Sequence, residues 1–445
     1  MCSNFETQLS ALSSKRIIGV LIKLQKGFYT SLPNFEKPDD AAFIGIFSKD
    51  LKPQLFEGYE KYFDTVFWFD INEKCKSILN DRSQTEKILE LSEVEDILAK
   101  IIQILPKEKL DLITTEEPLI KSVCKIREKF QISGPRIKDI ENMLDKELLL
   151  KTAAKTDEIQ TLKFAVLNLA KINSIKMESR RIVTEIQKFP MLFSPIIVGG
   201  NVGSGKLKNE EELKKFILQE SKSVKKGCYL LEECMNEKDI TEFWVSSVIL
   251  ADGTCIPYSC SFGENGIINA ENRQKPSDPM LFQAYPFDDK CEKTFPKLKE
   301  FIQNVATALK PPGPHIFGVK GFQRKSQTAD YFLRDVVYGI NSERETVVTL
   351  NDIKISHETV VLLNHLCTNY VSKNEYHETH PNRHLLWYPC VKGVLQNQEK
   401  FSKMNSIKSK LEYRWFIETE QKMETSTNMD DFMLCLTIDN SNFEE

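Results

Sequence analysis

Three groups of residues in this chain have the types and spacing to do chemistry. The first is GGNVGSGK (199–206), in which Gly200, Gly205 and Lys206 satisfy the G-x-x-x-x-G-K spacing of a phosphate-binding loop. The match stops at Leu207, where such a loop needs a Ser or Thr hydroxyl for Mg²⁺, and the next segment is charged rather than an apolar helix under a sheet. A Gly- and Ser-rich hairpin that turns backbone N–H groups toward phosphates is the better reading, with an ordinary surface turn as the alternative. The second group is YLLEECM followed by EKDITEFWVSSVIL, where one apolar strand ends in Glu232 and Glu233 and the next opens with Glu242. Carboxylates there can accept from an adenine amino group or from ribose hydroxyls, although at strand ends they are more often simply solvated. The third is HETHPNRHLLWYPC, with His377, His380, His384 and Cys390 as candidate zinc ligands; Pro381 interrupts the spacing, and a polar loop facing water is the simpler reading. No G-x-S-x-G elbow is present, so nothing indicates a Ser-His-Asp hydrolase.

The elements that must position these groups begin with three short runs, RIIGVLI, AAFIGIF and DTVFWFDI, each rich in Val, Ile and Phe as buried strands are. Residues 85–104 place Ile88, Leu89, Leu91, Val94, Ile97 and Leu98 on one helical stripe. LDLITT (110–115) reads as a further strand and 117–130 as a helix. This alternation argues for an open α/β sheet over about the first 135 residues. Gly134 and Pro135 break the pattern, and a helix is expected from 137 to 154. Residues 181–260 read as strands around the Gly-rich loop, with a charged helix after it. Helices are expected at 295–309 and 355–370, and strands near 315–323 and 331–338.

Length and composition bound the rest. The chain has 445 residues, 41% of them apolar, enough for two or three packed domains. Sixty Lys and Arg against 64 Asp and Glu leave a net charge of −4, which argues against a protein that depends on neutralising nucleic-acid phosphates. Eleven scattered cysteines without a Cys-x-x-Cys pair suit a reducing, cytoplasmic compartment better than a disulfide framework. The N-terminus does not read as a signal peptide. The most apolar stretches, such as 189–198, are about half the length that spans a bilayer, so no membrane is expected as a partner.

Taken in order, the segments from about 16 to 400 resemble an ATP-grasp enzyme. LDLITTEEPLIKSVCKIREKFQISG followed by DKELLLK is similar to the end of a pre-ATP-grasp domain and the start of the nucleotide-binding one. FPMLFSPIIVGGNVGSGKLKNEEEL resembles the strand, glycine loop and helix of the small subdomain, and LLEECMNEKDITEF the hinge strand. HIFGVKGFQ and YFLRDVVYGINSER resemble the two metal-bearing strands, and HLLWYPCVKGVL the closing motif of the branch that ligates amino acids, the carnosine synthase-like enzymes. The resemblance implies an α/β ATP-grasp fold with an N-terminal open α/β domain over 1–136. The nucleotide-binding domain would follow over 137–350, with a small subdomain at about 180–232, and a closing domain and tail over 351–445. It also implies ATP and Mg²⁺ as cofactors, small carboxylate and amine substrates joined through an acyl phosphate, and a homodimer. Lys151 matches the first phosphate lysine, Gly203, Ser204, Gly205 and Lys206 the covering loop, Glu232 and Glu233 the adenine contacts, and Glu242 the ribose acid.

The resemblance departs from the family where charge matters most. Ser194 stands where the phosphate-binding strand has a lysine, and Lys320 where the first metal-binding glutamate is expected. The second metal strand has two registers. One puts Asp335 on the metal glutamate and Gly339 on the arginine. The other puts Gly339 on the glutamate, keeps Asn341 and places Glu343 on the arginine. The first is preferred, because YFLRDVV is a strand. Asp335 then remains as the one metal ligand, and Lys320 takes over a positive charge that Mg²⁺ would have supplied. Two functions follow: an ATP-dependent carboxylate–amine ligase, or a pseudoligase that keeps the fold as a nucleotide-binding or scaffold protein.

Overall fold

The computed structural model describes residues 2–24, 37–54, 62–80, 88–196, 205–222, 227–236, 239–263, 280–287, 289–326, 329–339, 357–367, 382–390, 392–394, 410–415, 420, 422–423 and 432–440. The three N-terminal apolar runs form β1 (Ile17–Lys23), β2 (Ala41–Ser48) and β3 (Thr65–Phe69), joined by β4 (Leu110–Ile113) in a parallel sheet of order β3-β2-β1-β4. All eight residues of β2 are buried, as a strand covered on both faces requires. One face packs under α1 (Cys2–Leu12), α3 (Ser92–Ile104) and α4 (Glu117–Phe130) through Leu9, Val94, Leu98, Leu119 and Val123; α2 is Glu73–Asn80. The other carries Phe43 and Phe47 against Val361, Leu362 and Leu366 of a helix from the far end of the chain, His357–Leu366. The stripe expected from 85 starts its helix only at Ser92; Leu89 and Leu91 are buried ahead of it, and 81–87 lie outside the described residues.

The single helix expected over 137–154 is two: α5 (Ile137–Leu144) and α6 (Lys146–Ala153). Between them the Asp145 carboxylate accepts from Leu148 N at 3.0 Å, a side-chain cap that starts a new helix in a new direction. After β5 (Gln160–Thr161) come β6 (Phe164–Asn168), α7 (Ile175–Ile186), β7 (Met191–Pro195), β8 (Gly205–Leu207), α8 (Glu210–Ser221) and β9 (Cys228–Glu233). They form a small antiparallel sheet of order β6-β9-β7-β8, with Ile182, Ile186, Leu213 and Ile217 of the two helices packed beneath it. Residues 175–186 are therefore helical where the sequence suggested strands from 181. Ser174 caps that helix, its hydroxyl accepting from Met177 N at 3.4 Å.

The largest unit is a nine-stranded sheet built on β10 (Ile240–Ile249), β11 (Cys255–Gly263), β12 (Met280–Pro286), β13 (His315–Arg324) and β14 (Tyr331–Tyr338). Beyond α9 (Asp289–Thr294), α10 (Leu298–Leu309) and α11 (His357–Leu366) lie β15 (Asn382–Pro389), the short pair β16 (Gly393–Val394) and β18 (Lys422–Met423), β17 (Lys410–Trp415) and β19 (Phe432–Asn440). The large sheet runs β17-β19-β15-β12-β11-β10-β13-β14-β5. Phe243, Val245, Phe317, Val319, Leu333 and Val336 face α10, packing on Phe301, Ile302 and Val305. Among the described residues no helix is long and apolar enough to cross a membrane.

One irregularity in this sheet decides which charges share a face. Lys320 pairs with Asp335 across β13 and β14, but Gly321 pairs with Leu333, so Arg334 is an extra residue in the ladder. At such a bulge two residues oppose one and strict alternation lapses. Leu333 and Val336 both stay in the α10 core, while Arg334 and Asp335, adjacent in sequence, find their partners away from it. Gly321 makes this backbone approach feasible, since a Cβ there would sit 2.2 Å from Phe332 O. Arg334 Nη1 lies 3.8 Å from Glu242 Oε1, both side chains under 10% exposed, and its guanidinium covers the Phe322 ring at 5.4 Å.

Two stability measurements follow. Arg334→Met removes the cation that faces the buried Glu242 and should cost about 3–5 kcal/mol in urea denaturation. The double variant with Glu242→Gln should recover more than half of that loss. His315 is buried against the Tyr338 ring, centroids 4.1 Å apart, and burial, aided by the charges of His365 and Arg127, pushes its pKa down to about 3. Unfolded histidine titrates near 6.5. As pH falls from 6.5 toward 3 the unfolded chain takes up a proton that the folded chain refuses, so stability should drop by on the order of 1 kcal/mol per pH unit. Urea midpoints between pH 7 and 4 should show this slope in the parent and a flatter one in His315→Phe.

Candidate functional site

Helix α6 joins the two sheets that carry the candidate residues. Leu150 packs on Leu230 of β9 and Phe164 of β6, and Lys146, four residues earlier and so on the same side of the helix, reaches Asp335 of β14 with Nζ 3.5 Å from Oδ2. Asp145 sets this placement, because the cap that ends α5 makes Lys146 the first residue of α6. Lys151, the lysine expected at the phosphates, sits in the last turn, more than half exposed and paired with Glu147 one turn back. The cation that α6 delivers between the sheets is Lys146. Its sequence signal was the Asp-Lys pair at a helix start, which was absorbed into an uninterrupted helix.

On the large sheet, Glu242, Trp244, Lys320, Arg334 and Asp335 lie on the face turned away from α10. Trp244 and Lys320 are cross-strand partners, and Lys320 Nζ stands 4.3 Å from the centre of the Trp244 rings. Such a cation–π contact contributes roughly 0.5–2 kcal/mol and holds the ammonium in place without neutralising it. Asp335 is gripped by Lys146 and also accepts from Val336 N at 2.9 Å. Glu242, expected at the ribose, is engaged by Arg334. Neither Arg334 nor Trp244 was singled out from the sequence. The signal for Arg334 was two charged residues in succession inside the strand YFLRDVV, which breaks alternation as a bulge does.

On the small sheet, Ser194 pairs with Leu230, and Glu232 lies two residues beyond it on β9, so both belong to the face that meets α6. Both are buried. Among the described residues the Ser194 hydroxyl has no hydrogen-bond partner, a desolvated donor placed where the resemblance expects phosphates. Glu233 belongs to the opposite face and pairs with Lys188 at 3.7 Å. Gly205 is buried in β8, Lys206 is exposed beside it, and Gly203 and Ser204 lie outside the described residues. His377 and His380 also lie outside them, and His384 belongs to β15. The strand after the hinge enters the large sheet through Met235 and Ile240, which pack with Leu162, Phe322 and Phe332.

The two cofactors fit this arrangement differently. Lys146, Lys320 and the unsatisfied Ser194 hydroxyl suit the phosphates of a nucleotide. Mg²⁺ needs several oxygen ligands in near-octahedral array. Here Asp335 and Glu242 are each held by a cation, Lys320 stands between their strands, and no group of three Asp, Glu, His or Cys assembles among the described residues. The described residues do not fit a resident Mg²⁺.

Comparison with known proteins finds no matching family model and no match among curated sequences. Solved structures do match. An L-amino acid ligase from Bacillus licheniformis superposes with a TM-score of 0.61 at 12% identity, over 97% of this chain and 95% of that one. A biotin carboxylase from Campylobacter jejuni, crystallised as a β,γ-ATP complex, gives 0.60 at 13% identity over 95% and 87%. An N5-carboxyaminoimidazole synthase from Aspergillus clavatus, with ADP and 5-aminoimidazole ribonucleotide, gives 0.56 at 12% identity over 97% and 95%. At such identities the likeness is one of architecture, and it extends over nearly the whole chain. The chain has the ATP-grasp fold, with an open parallel α/β sheet ahead of the small and large sheets.

Proposed function

We propose that this protein binds an adenine nucleotide between its small and large sheets and meets the phosphates with side-chain cations rather than Mg²⁺, as an ATP-grasp pseudoligase. The observation that carries this reading is the cross-strand pair Lys320–Asp335, in which an ammonium on Trp244 replaces one expected metal ligand while Lys146 occupies the other. Binding and turnover make different demands on such a site. Lys146, Lys320 and the Ser194 hydroxyl can offset part of the charge of a triphosphate, and lysine does so as a point charge. Transfer of the γ-phosphoryl group to a carboxylate additionally requires two anions to be held in line, which a bridging metal achieves and an ammonium does not. The nucleotide would therefore be retained and turned over slowly or not at all. Ser194, Lys206 and Glu232 would line the small-sheet side, with Glu232 near the adenine.

A second reading, an active carboxylate–amine ligase forming an amide through an acyl phosphate on small amino-acid-like substrates, is favoured by the near full-length likeness to the L-amino acid ligase. In it ATP would draw Asp335 away from Lys146 to recruit a metal.

Calorimetry with ATP, in excess Mg²⁺ and then in EDTA, separates the two. The pseudoligase reading expects affinities within about threefold of each other and no phosphate release with any amino-acid pair. Lys320→Met should weaken binding at least about tenfold, or 1.4 kcal/mol. A strict Mg²⁺ requirement together with phosphate release that needs both an acid and an amine would establish the ligase instead.

A further inference from the structure

The second candidate site lies away from the nucleotide-binding faces, along the free edge of the parallel sheet. β4 is the edge strand there, and between it and the ends of β13 and β14 is a cavity of about 360 Å³. Its wall includes Arg127 of α4, Asp111 of β4, His315 of β13, Tyr338 of β14 and His365 of α11, with Ser133 at the exposed rim. His315 and Tyr338 belong to the α10 side of the large sheet, opposite Lys320, and about five residues or roughly 17 Å of strand separate His315 from Lys320.

Arg127 is the unusual group. Its side chain is buried, only 7% of the residue being exposed, yet it forms no ion pair among the described residues. One terminal nitrogen donates to Leu112 O at 2.5 Å, the other to Pro135 O at 3.4 Å and to Cys124 Sγ at 3.8 Å, and Nε has no partner. The acid whose charge reaches it, Asp111, is already engaged by His365 Nδ1. Burial alone would raise the Asp111 carboxyl; His365 and Arg127 overcome that and hold it below its ordinary range. His315 Nε2 is a second buried atom with no partner in the same wall. A buried guanidinium whose hydrogen-bond partners among the described residues are two carbonyls and a thiol bears a desolvation cost that a bound anion would offset. Ile17, Ile113, Ile120 and the Tyr338 ring supply apolar wall, Arg16, Glu108, Lys109 and Thr114 also line the cavity, and the volume suits a small organic molecule.

We infer that this cavity is a binding site for a small organic oxyanion, a carboxylate or phosphate monoester, held by Arg127 and the two histidines at the junction of the parallel sheet with the large one. The site is independent of the nucleotide reading, since it shares no residue with it. An anion there would brace α4 and β4 against the ends of β13 and β14, at the seam between the N-terminal and central parts of the chain.

Histidine carbon–proton NMR spectra of the full chain, titrated separately with inorganic phosphate and with pyruvate, read the site directly. Only six histidines are present, and His365→Gln assigns one of the two in the wall. At least one probe should move the His315 and His365 signals to saturation, and the tighter probe identifies the oxyanion class. Ser133→Trp, which plugs the rim and leaves Arg127 in place, should raise the half-saturation at least about tenfold. Arg127→Met should do the same if it folds; the rim variant serves if it does not. Signals that stay fixed with both probes, or that respond equally in Ser133→Trp, overturn the proposal, the second result meaning that phosphate acted from the nucleotide site.

Discussion

Charge on a partly buried face has to be balanced, and in this protein one extra residue in β14 determines how. Without the bulge, Arg334 and Asp335 would point to opposite faces and one of them would enter the α10 core. With it, both stay out of the core, and the face closes into a set of pairs: Arg334 with Glu242, Lys146 with Asp335, and Lys320 on Trp244. Asp335 and Glu242, the carboxylates of this face among the described residues, are thereby each held by a cation. A buried ion pair contributes little net stability, but removing one member leaves the other charge stranded. The arrangement resists piecemeal change, and a two-carboxylate metal site here would require several positions to change together.

The same face explains why the fold tolerates 12–13% identity with enzymes of whole-chain similarity. The architecture depends on Phe243, Val245, Phe317 and Val319 packing on α10 and on the small sheet packing on α7 and α8. In the large sheet the core and the charged face with Lys320 and Asp335 occupy opposite sides of the same strands, so one can drift while the other holds.

Much of the architecture was legible because it rests on local pattern. The runs in β1, β2 and β3 read as strands through their density of branched and aromatic residues, and β13 and β14 through two apolar runs separated by a polar turn. What failed did so where a single side chain overrides a run. Asp145 divides a good helix-forming stretch in two, and Ser174 starts a helix in a segment read as strand. Lys320 and Asp335 come from the resemblance to the two metal-bearing strands, and the structure makes them cross-strand partners. The resemblance puts Lys151 at the phosphates, whereas the structure pairs Lys151 with Glu147 and turns Lys146 to Asp335, because a motif match does not say what each side of a helix faces. Arg334 could be assigned a direction only once the bulge was seen.

The covering of Phe43 and Phe47 by α11 has a consequence for how the chain is made. The parallel sheet is complete in sequence by residue 113, but the helix that shields its aromatic face begins at His357, and Arg16 ties the two by donating to Leu366 O at 2.9 Å. At a synthesis rate of about 5–20 residues per second, roughly 10 to 50 s pass before that helix emerges. Through that interval an apolar sheet face stands open on the nascent chain. Residue 366 must leave the ribosome before residue 43 is sheltered, so the sheet is covered only by a helix made more than 240 residues after its last strand.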